Sequence, residues 1–297
     1  MTELNLKYYT GKDKYSDGDI ENIILRIVKE KADIHEIFRT TRNWPILYHL
    51  SSIRENLLSW YNFDPTSSLL EIGGGCGALT GLFARSVKEV SVVELSKRRA
   101  EIIYHRYKEH SNLKILVGNL NDIKFDARFD YVTLIGVLEY AASFTEGPSP
   151  FNSFLIKTRS LLKENGVLLL AIENKFGLKY WAGAREDHTG RFFDSIEDYP
   201  FSKSIQTFGK AELEEMLLNC GFKDLFFYYP MPDYKLPKVI YSDEYMPRLD
   251  DFFDECAPNY DSDRLSLFNE NMAMRNLIAN RQFDFFANSF LIEAKKR

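Results

Sequence analysis

Cysteine is scarce, with three in 297 residues, and none of Cys76, Cys220 and Cys256 stands in a CxxC or Cys/His spacing. Neither a disulfide framework nor a zinc site is suggested, no metal is expected, and reduced, mostly buried thiols are the reading. A surplus of positive charge is missing too: 38 Lys and Arg face 43 Asp and Glu, for a formal net charge of −5. Broad attraction to a phosphate backbone is not encoded, so no nucleic-acid partner is expected. Apolar runs such as Gly166 to Ile172 are far too short to cross a bilayer, and Met1-Thr2-Glu3-Leu4 lacks the charged and apolar regions of a signal peptide. No membrane insertion and a cytoplasmic location are the expectation. Internal repeats and low-complexity tracts are also lacking, which excludes a solenoid. What remains, 45% hydrophobic and 27% charged residues, is the balance of a folded chain with a sizeable core.

The strongest positive signal is Leu69-Leu70-Glu71-Ile72 running into Gly73-Gly74-Gly75-Cys76-Gly77 and then the helix-like Ala78-Leu79-Thr80. Glycines at 73, 75 and 77 admit positive φ and the approach of a ligand where a Cβ would collide. A loop of this kind at the carboxyl edge of a parallel sheet is where open α/β folds bind nucleotides. Four further apolar runs follow, Glu89–Glu94, Leu113–Val117, Asp130–Ile135 and Gly166–Glu173, rich in Val, Ile and Leu as suits parallel strands covered on both faces. Helices are predicted between them at Leu79–Val87, Lys97–Lys108 and Phe151–Lys163.

Ahead of the glycine loop, residues 1 to 15 read as polar and loose. Ile20, Ile23, Ile24, Ile27 and Val28 then recur at helical spacing behind Ser16 and Asp17, and a second helix is predicted from Pro45 to Tyr61. Past the fifth strand the pattern lapses over residues 176–206, a length that suggests a lid. A helix from Lys210 ends at Gly221, an aromatic strand spans Asp224–Tyr229, residues 231–284 are irregular or helical, and Asn288–Ala294 reads as a last strand. The expected organisation is a helical extension, 1–66, and an α/β domain, 67–297, with insertions at 176–206 and 231–284.

Several polar residues fall at strand ends. Glu71 puts a carboxylate beside the glycine loop, where it repels a pyrophosphate and attracts a positively charged ligand. Glu94 closes the second strand, where an acid accepts hydrogen bonds from ribose hydroxyls. The third strand empties into Asn119-Leu120-Asn121-Asp122, whose amide suits an adenine edge, although Asn119 and Asp122 are equally turn formers. Gly136 after the fourth strand permits close approach by the ligand, and Glu139 and Tyr140 follow it toward the reaction cleft or into packing.

The order Glu71/Gly73/Gly75/Gly77, Glu94, Asn119, and Phe129-Asp130 to Gly136-Val137-Leu138-Glu139 resembles the class I S-adenosylmethionine-dependent methyltransferases. The likeness covers residues 67 to 230 and the last strand. It implies a Rossmann-like, mostly parallel seven-stranded α/β sheet with helices on both faces, its last strand inserted antiparallel beside the sixth. It also implies S-adenosylmethionine as cofactor: the glycine loop takes the methionine part, Glu94 the ribose, and the end of the third strand the adenine. Where the family often has Asp, this chain has Asn119. The segment from Ala171 to Gly190 is similar to methyltransferase domains found beside bacterial polysaccharide glycosyltransferases, which implies a small-molecule or glycan acceptor.

Methyl transfer to an oxygen asks for positioning and for a base to take the proton. His188 in the loop beyond the fifth strand is the candidate base, oriented by Asp187 or Glu186, and Glu139 competes with it. Asn174, Lys175, Tyr180 and Asp187 are candidate substrate contacts. Tyr48, His49 and Arg54 lie on the helix before the sheet, where Arg54 can pair with a cofactor carboxylate. Tyr234, Tyr241, Tyr245, Phe252 and Phe253 are candidates for an aromatic cap or for core packing.

Two other classes stay open. Gly73-x-Gly75-x-x-Ala78 also meets the loose dinucleotide fingerprint of an NAD-dependent oxidoreductase, and a module that binds S-adenosylmethionine without turnover would carry the same loop. Ribosomal RNA adenine methyltransferases share the Leu-Glu-Ile-Gly opening but resemble Asn-(Leu/Ile)-Pro-Tyr where this chain has Ile135-Gly136-Val137-Leu138.

Overall fold

A computed structural model describes residues 1–13, 15–41, 43–251, 257 and 263–297. Phe252, Phe253 and Cys256 lie outside the described residues. The chain forms two compact units, the first Met1–Leu134 with Ser160–Gly166, the second Ile135–Arg159 with Val167–Arg297. No helix among the described residues is long and apolar enough to cross a membrane.

The first unit contains strands β1 (Glu3–Asn5), β2 (Ser68–Ile72), β3 (Glu89–Glu94), β4 (Leu113–Val117) and β5 (Phe129–Ile135). They pair in parallel in the order β1-β4-β3-β2-β5, with Glu71 beside Val92 and Thr133. Leu69, Leu70, Val92, Ile115, Val132 and Leu134 are fully or almost fully buried, as the apolar runs require. Helices Thr80–Ser86 and Lys97–Tyr107 follow β2 and β3.

Two expectations for the segment before β2 need correction. The predicted long helix breaks into Trp44–Leu50 and a 3-10 turn, Ser52–Leu57, because Ser51 is extended at ψ 132° and its hydroxyl accepts Ile53 N at 3.2 Å. The described residues among the first fifteen are not loose either. Leu4 pairs with Ile115, Thr2 Oγ1 donates to Tyr107 O at 2.6 Å, and Asp13 accepts from Lys97 N at 2.8 Å. Polar contacts of this kind leave no periodic trace in a sequence.

The helix Ile20–Glu30 sits on an apolar cluster of Ile24, Ile27, Ile46, Leu50, Cys76 and Ile102. A buried ionic cluster fixes it: Arg99 Nε lies 2.6 Å from Glu21, Arg99 Nη2 2.7 Å from Asp17, and His49 Nε2 2.8 Å from the same Asp17 oxygen. Arg106 donates to the carbonyls of His49 and Cys76, at 2.9 and 2.6 Å, and so ties the helical extension to the glycine loop.

Strand β6 (Leu162–Glu173) starts in the Ser160–Gly166 segment and runs on into the second unit, which also holds β7 (Phe222–Met231), β8 (Val239–Ser242) and β9 (Ser289–Lys296). Their order is β6-β9-β7-β8, every pairing antiparallel, with Ala171 opposite Leu291 and Phe227 opposite Ile292. The last strand therefore lies between the two aliphatic and aromatic runs, as the family resemblance implied. Among the described residues the strands number nine, not seven, because β1 and β8 add to the expected set. Residues 176–206 hold the short helix Leu178–Trp181 and an isolated bridge from Arg185 to Phe192, and they bury Tyr180, Ala182, Ala184 and Tyr199.

Arg99→Met would leave Glu21, which is fully buried, without its guanidinium. The unfolding free energy is expected to fall by about 3–5 kcal/mol, read as a lower urea midpoint at unchanged m-value. A loss below about 1 kcal/mol, the range of exposed pairs, would refute a stabilising role for the cluster.

Candidate active site

The glycine loop of the first unit adopts the geometry its sequence calls for. Gly73, Gly75 and Gly77 have φ of +77°, +53° and +80°. A Cβ on Gly75 would meet nothing within 4 Å, so this position presents bare backbone to open space. Gly74, which the sequence pattern did not single out, is required for another reason: its Cβ would come within 2.4 Å of Val92 Cγ1.

Glu94 holds the loop from the tip of β3. Its Oε2 accepts Gly75 N at 2.7 Å and its Oε1 accepts Ser96 N at 2.9 Å. Each oxygen keeps a lone pair for a further donor such as a ribose hydroxyl. Burial pushes the Glu94 carboxyl up, against Arg99 and the two backbone N–H groups that favour its charge.

Glu71 differs from the charged carboxylate that its place at the strand tip suggested. It is buried, and Thr80 Oγ1, at the start of the following helix, donates to its Oε2 at 2.6 Å. Burial raises its carboxyl to about 8, opposed by the Thr80 hydrogen bond and reinforced by Glu94. Glu71 is thus an uncharged brace between β2 and the helix near neutral pH.

The other first-unit candidates are placed as follows. Asn119 Oδ1 accepts Asn121 N at 3.0 Å in a turn beyond β4, and Leu120 is buried beside it. Arg54 is buried with its guanidinium 4.4 Å above the Tyr48 ring.

The second unit gathers the catalytic candidates. His188 Nε2 stands 3.7 Å from Glu139 Oε1 and 3.9 Å from Glu173 Oε2, while Nδ1 lies 2.9 Å from Glu186 Oε1. Glu186 Oε2 also accepts the backbone N of His188 and Thr189, which fixes the loop around the ring. Asp187 sits between Lys179, 2.5 Å away, Tyr180, whose hydroxyl donates at 2.7 Å, and Lys235 at 3.3 Å. Lys235 reaches Glu173 Oε1 at 2.7 Å.

Charges in this cluster set one another. Burial works against the imidazolium of His188, but Glu139, Glu186 and Glu173 outweigh it and hold the ring well above its ordinary value. Burial pushes Glu139 up. Burial pushes Glu173 and Asp187 the same way, yet Lys235 for the first and Lys179 for the second bring both below the usual carboxylate range.

The remaining second-unit candidates are engaged internally. Asn174 Nδ2 donates to Phe285 O and Ala287 O at 2.8 and 2.7 Å. Lys175 Nζ pairs with Asp198 at 2.8 Å and Glu212 at 3.1 Å. Tyr180 is fully buried, its hydroxyl on Asp187 and its ring 4.9 Å from Lys179 Nζ. The space over Gly136, φ +68°, is taken by the Tyr234 hydroxyl, to which a Cβ would come within 2.6 Å. Tyr234 and Tyr241 are buried, and Tyr245 is exposed and stacked at 6.3 Å on Tyr241.

Sequence reasoning missed Glu173, Lys179 and Lys235. Glu173 ends β6 as Glu94 ends β3, a parallel that was available; the two lysines carry no spacing signal.

A family profile described as a methyltransferase domain matches residues 45–225. Ribosomal RNA small subunit methyltransferase A of Malacoplasma penetrans is 37% identical over 75 residues, 25% of this chain and 26% of its own length. The enzyme of the same name from Pseudomonas putida is 36% identical over 78 residues, 26% of this chain and 28% of its own. The chain thus spans about a quarter of the length of these curated relatives. Phosphoethanolamine N-methyltransferase 1 of Haemonchus contortus, solved with phosphoethanolamine and S-adenosylhomocysteine, is 13% identical with a TM-score of 0.50, covering 94% of this chain and 48% of its own, a likeness of fold.

A pH prediction follows from Glu71. In the unfolded chain its carboxyl ionises near 4.5, and in the folded chain near 8. Folding takes up a proton between those values, so the stabilisation is complete below about pH 4.5 and is lost as pH rises towards 8. Glu71→Gln carries no charge at any pH. Between pH 5 and pH 9 the variant is expected to gain on the parent by about 2–4 kcal/mol in urea unfolding; a constant difference across that range would falsify the assignment.

Proposed function

Because the chain belongs to the methyltransferase-domain family, we propose that it moves a methyl group from S-adenosylmethionine to an oxygen of a small-molecule or glycan acceptor. The observation that carries this reading is the open Gly75 backbone anchored to the buried Glu94 carboxylate. A dinucleotide would bring two phosphates to the same loop, where Glu94 already accepts the Gly75 N–H, and this disfavours it.

The cofactor supplies an electrophilic methyl carbon on a sulfonium. The first unit's residues bind it: Glu94 receives ribose hydroxyls, the Gly73–Gly77 loop the methionine part, and Asn119 and Leu120 the adenine. Arg54, preorganised on the Tyr48 ring, pairs with the methionine carboxylate. Glu139 Oε2 is buried and makes no hydrogen bond among the described residues, and Glu139 takes the acceptor proton with His188 and Glu173 as its charged surroundings. Proton removal by a positioned group contributes about 10²–10⁴-fold.

An oxygen acceptor outside RNA is favoured by the net charge of −5, which offers no general attraction to a polyanion. The Ala171 to Gly190 likeness to domains beside polysaccharide glycosyltransferases supports a glycan or sugar-nucleotide.

Isothermal titration is expected to give saturable binding of S-adenosylmethionine and S-adenosylhomocysteine and none of NAD; NAD binding alone would overturn the cofactor reading. Gly75→Val, which puts a branched side chain where the backbone is bare, is expected to weaken S-adenosylhomocysteine at least about tenfold, or 1.4 kcal/mol. Glu139→Gln is expected to keep that affinity while transfer of labelled methyl to sugar-nucleotide and glycan pools falls about a hundredfold or more. Labelling of ribosomal RNA in place of those pools would overturn the acceptor class and leave the transfer reaction standing.

A further inference from the structure

Proton transfer alone does not account for the donor arrangement around His188. One oxygen each from Glu139 and Glu173 and a ring nitrogen of His188 lie within 4.8 Å of one another, all three on buried or nearly buried side chains. The separations from Nε2, 3.7 and 3.9 Å, are too long for N–H···O hydrogen bonds of about 2.7–3.2 Å, so even a protonated ring satisfies neither carboxylate. Donors that share one ion at about 2.1 Å each stand about 3–4 Å apart.

Independent observations point the same way. Glu173 Oε2 is buried and finds no hydrogen-bond partner among the described residues, a costly condition for a carboxylate oxygen. Glu173 Oε1 is already taken by Lys235 at 2.7 Å, which leaves Oε2 directed at the ring. On the far side of the ring, Nδ1 donates to Glu186 Oε1 at 2.9 Å. A carboxylate there fixes the tautomer that turns the Nε2 lone pair towards Glu139 and Glu173, the outer support that ligating imidazoles receive. Charge balance agrees. With a neutral imidazole, Glu139, Glu173, Glu186 and Asp187 face, among the described residues, Lys179 and Lys235, and two negative charges are left over. A proton on His188 offsets one of them; a divalent ion offsets both.

We infer that Glu139 Oε1, Glu173 Oε2 and His188 Nε2 bind one divalent cation in the second unit. Two carboxylates and one imidazole suit Mn²⁺, Mg²⁺ or Zn²⁺ and disfavour soft ions that prefer sulfur. Three protein donors leave coordination positions open, and oxygens of an acceptor suit them; that last assignment rests on the oxygen-methyltransferase reading, whereas the ion site itself does not.

The test is direct metal binding to the full chain after chelator treatment. Mn²⁺ is titrated and its free form followed by electron paramagnetic resonance, with Mg²⁺ and Zn²⁺ as competitors. One saturable site per chain is expected, with a dissociation constant below about 100 µM. Glu173→Gln and His188→Gln are each expected to weaken it at least tenfold at unchanged S-adenosylhomocysteine affinity. Should Glu173→Gln fail to fold for want of a partner for Lys235, Glu139→Gln, which faces no lysine in the cluster, carries the same expectation. Absence of a saturable site for all three ions, or affinity unchanged in the folded variants, overturns the inference. Methyl transfer that persists in a chain shown to bind no ion removes the cation site and spares the proposed reaction; ion binding without any methyl transfer does the reverse.

Discussion

Glu94 is the residue on which the glycine loop depends. Its carboxylate takes the amide of Gly75 on one side and that of Ser96 on the other, so the tip of β3, the loop after β2 and the start of the next helix share one anchor. A loop of glycines is otherwise the least constrained backbone a chain can have. Here its freedom is removed from outside: by Glu94, by Arg106 on the Cys76 carbonyl, and by the Tyr107 hydroxyl, which donates to Gly77 O at 2.8 Å. The permissive residues supply the shape and their neighbours supply the rigidity.

Those neighbours are held in turn by the helical extension. Arg99 is charged and almost wholly buried, which is tolerable because Glu21 and Asp17 both reach it. Asp17 also receives His49, and Asp13 receives the first turn of the helix that bears Arg99. In the second unit the same principle operates in an irregular segment. The Leu178 to Thr207 stretch has little regular structure, and Glu186, Asp187, Tyr180 and Tyr199 hold it by hydrogen bonds among themselves and to Lys179 and Thr207. Polar networks of this kind specify one arrangement when every member is satisfied.

This division explains what could be read from residues in order. Strands β3 and β4 fall on the predicted residues, because two-sided burial writes itself as unbroken Val, Ile and Leu. Positive φ at Gly73, Gly75 and Gly77 was legible for a similarly local reason. Glu94 was legible as an anchor candidate from its place at a strand end; its bond to Gly75 was not, since it joins residues nineteen apart. Glu71 reads as a charge when only its position is known, and becomes a neutral brace once Thr80 and full burial are seen. Lys235 lies more than sixty residues from Glu173, and no local pattern connects them. The helix break at Ser51 was masked by apolar spacing that continues across it.

The two strands beyond the expected seven stand last in their respective units: β1, three residues long, covers β4, and β8, four residues long, covers β7. A sheet margin that is long and unpaired invites another chain to add itself there. Capped by such brief ribbons, β4 and β7 expose few open backbone groups to a passing copy. These additions would work as fenders against self-association of a chain rich in aromatic and aliphatic strands.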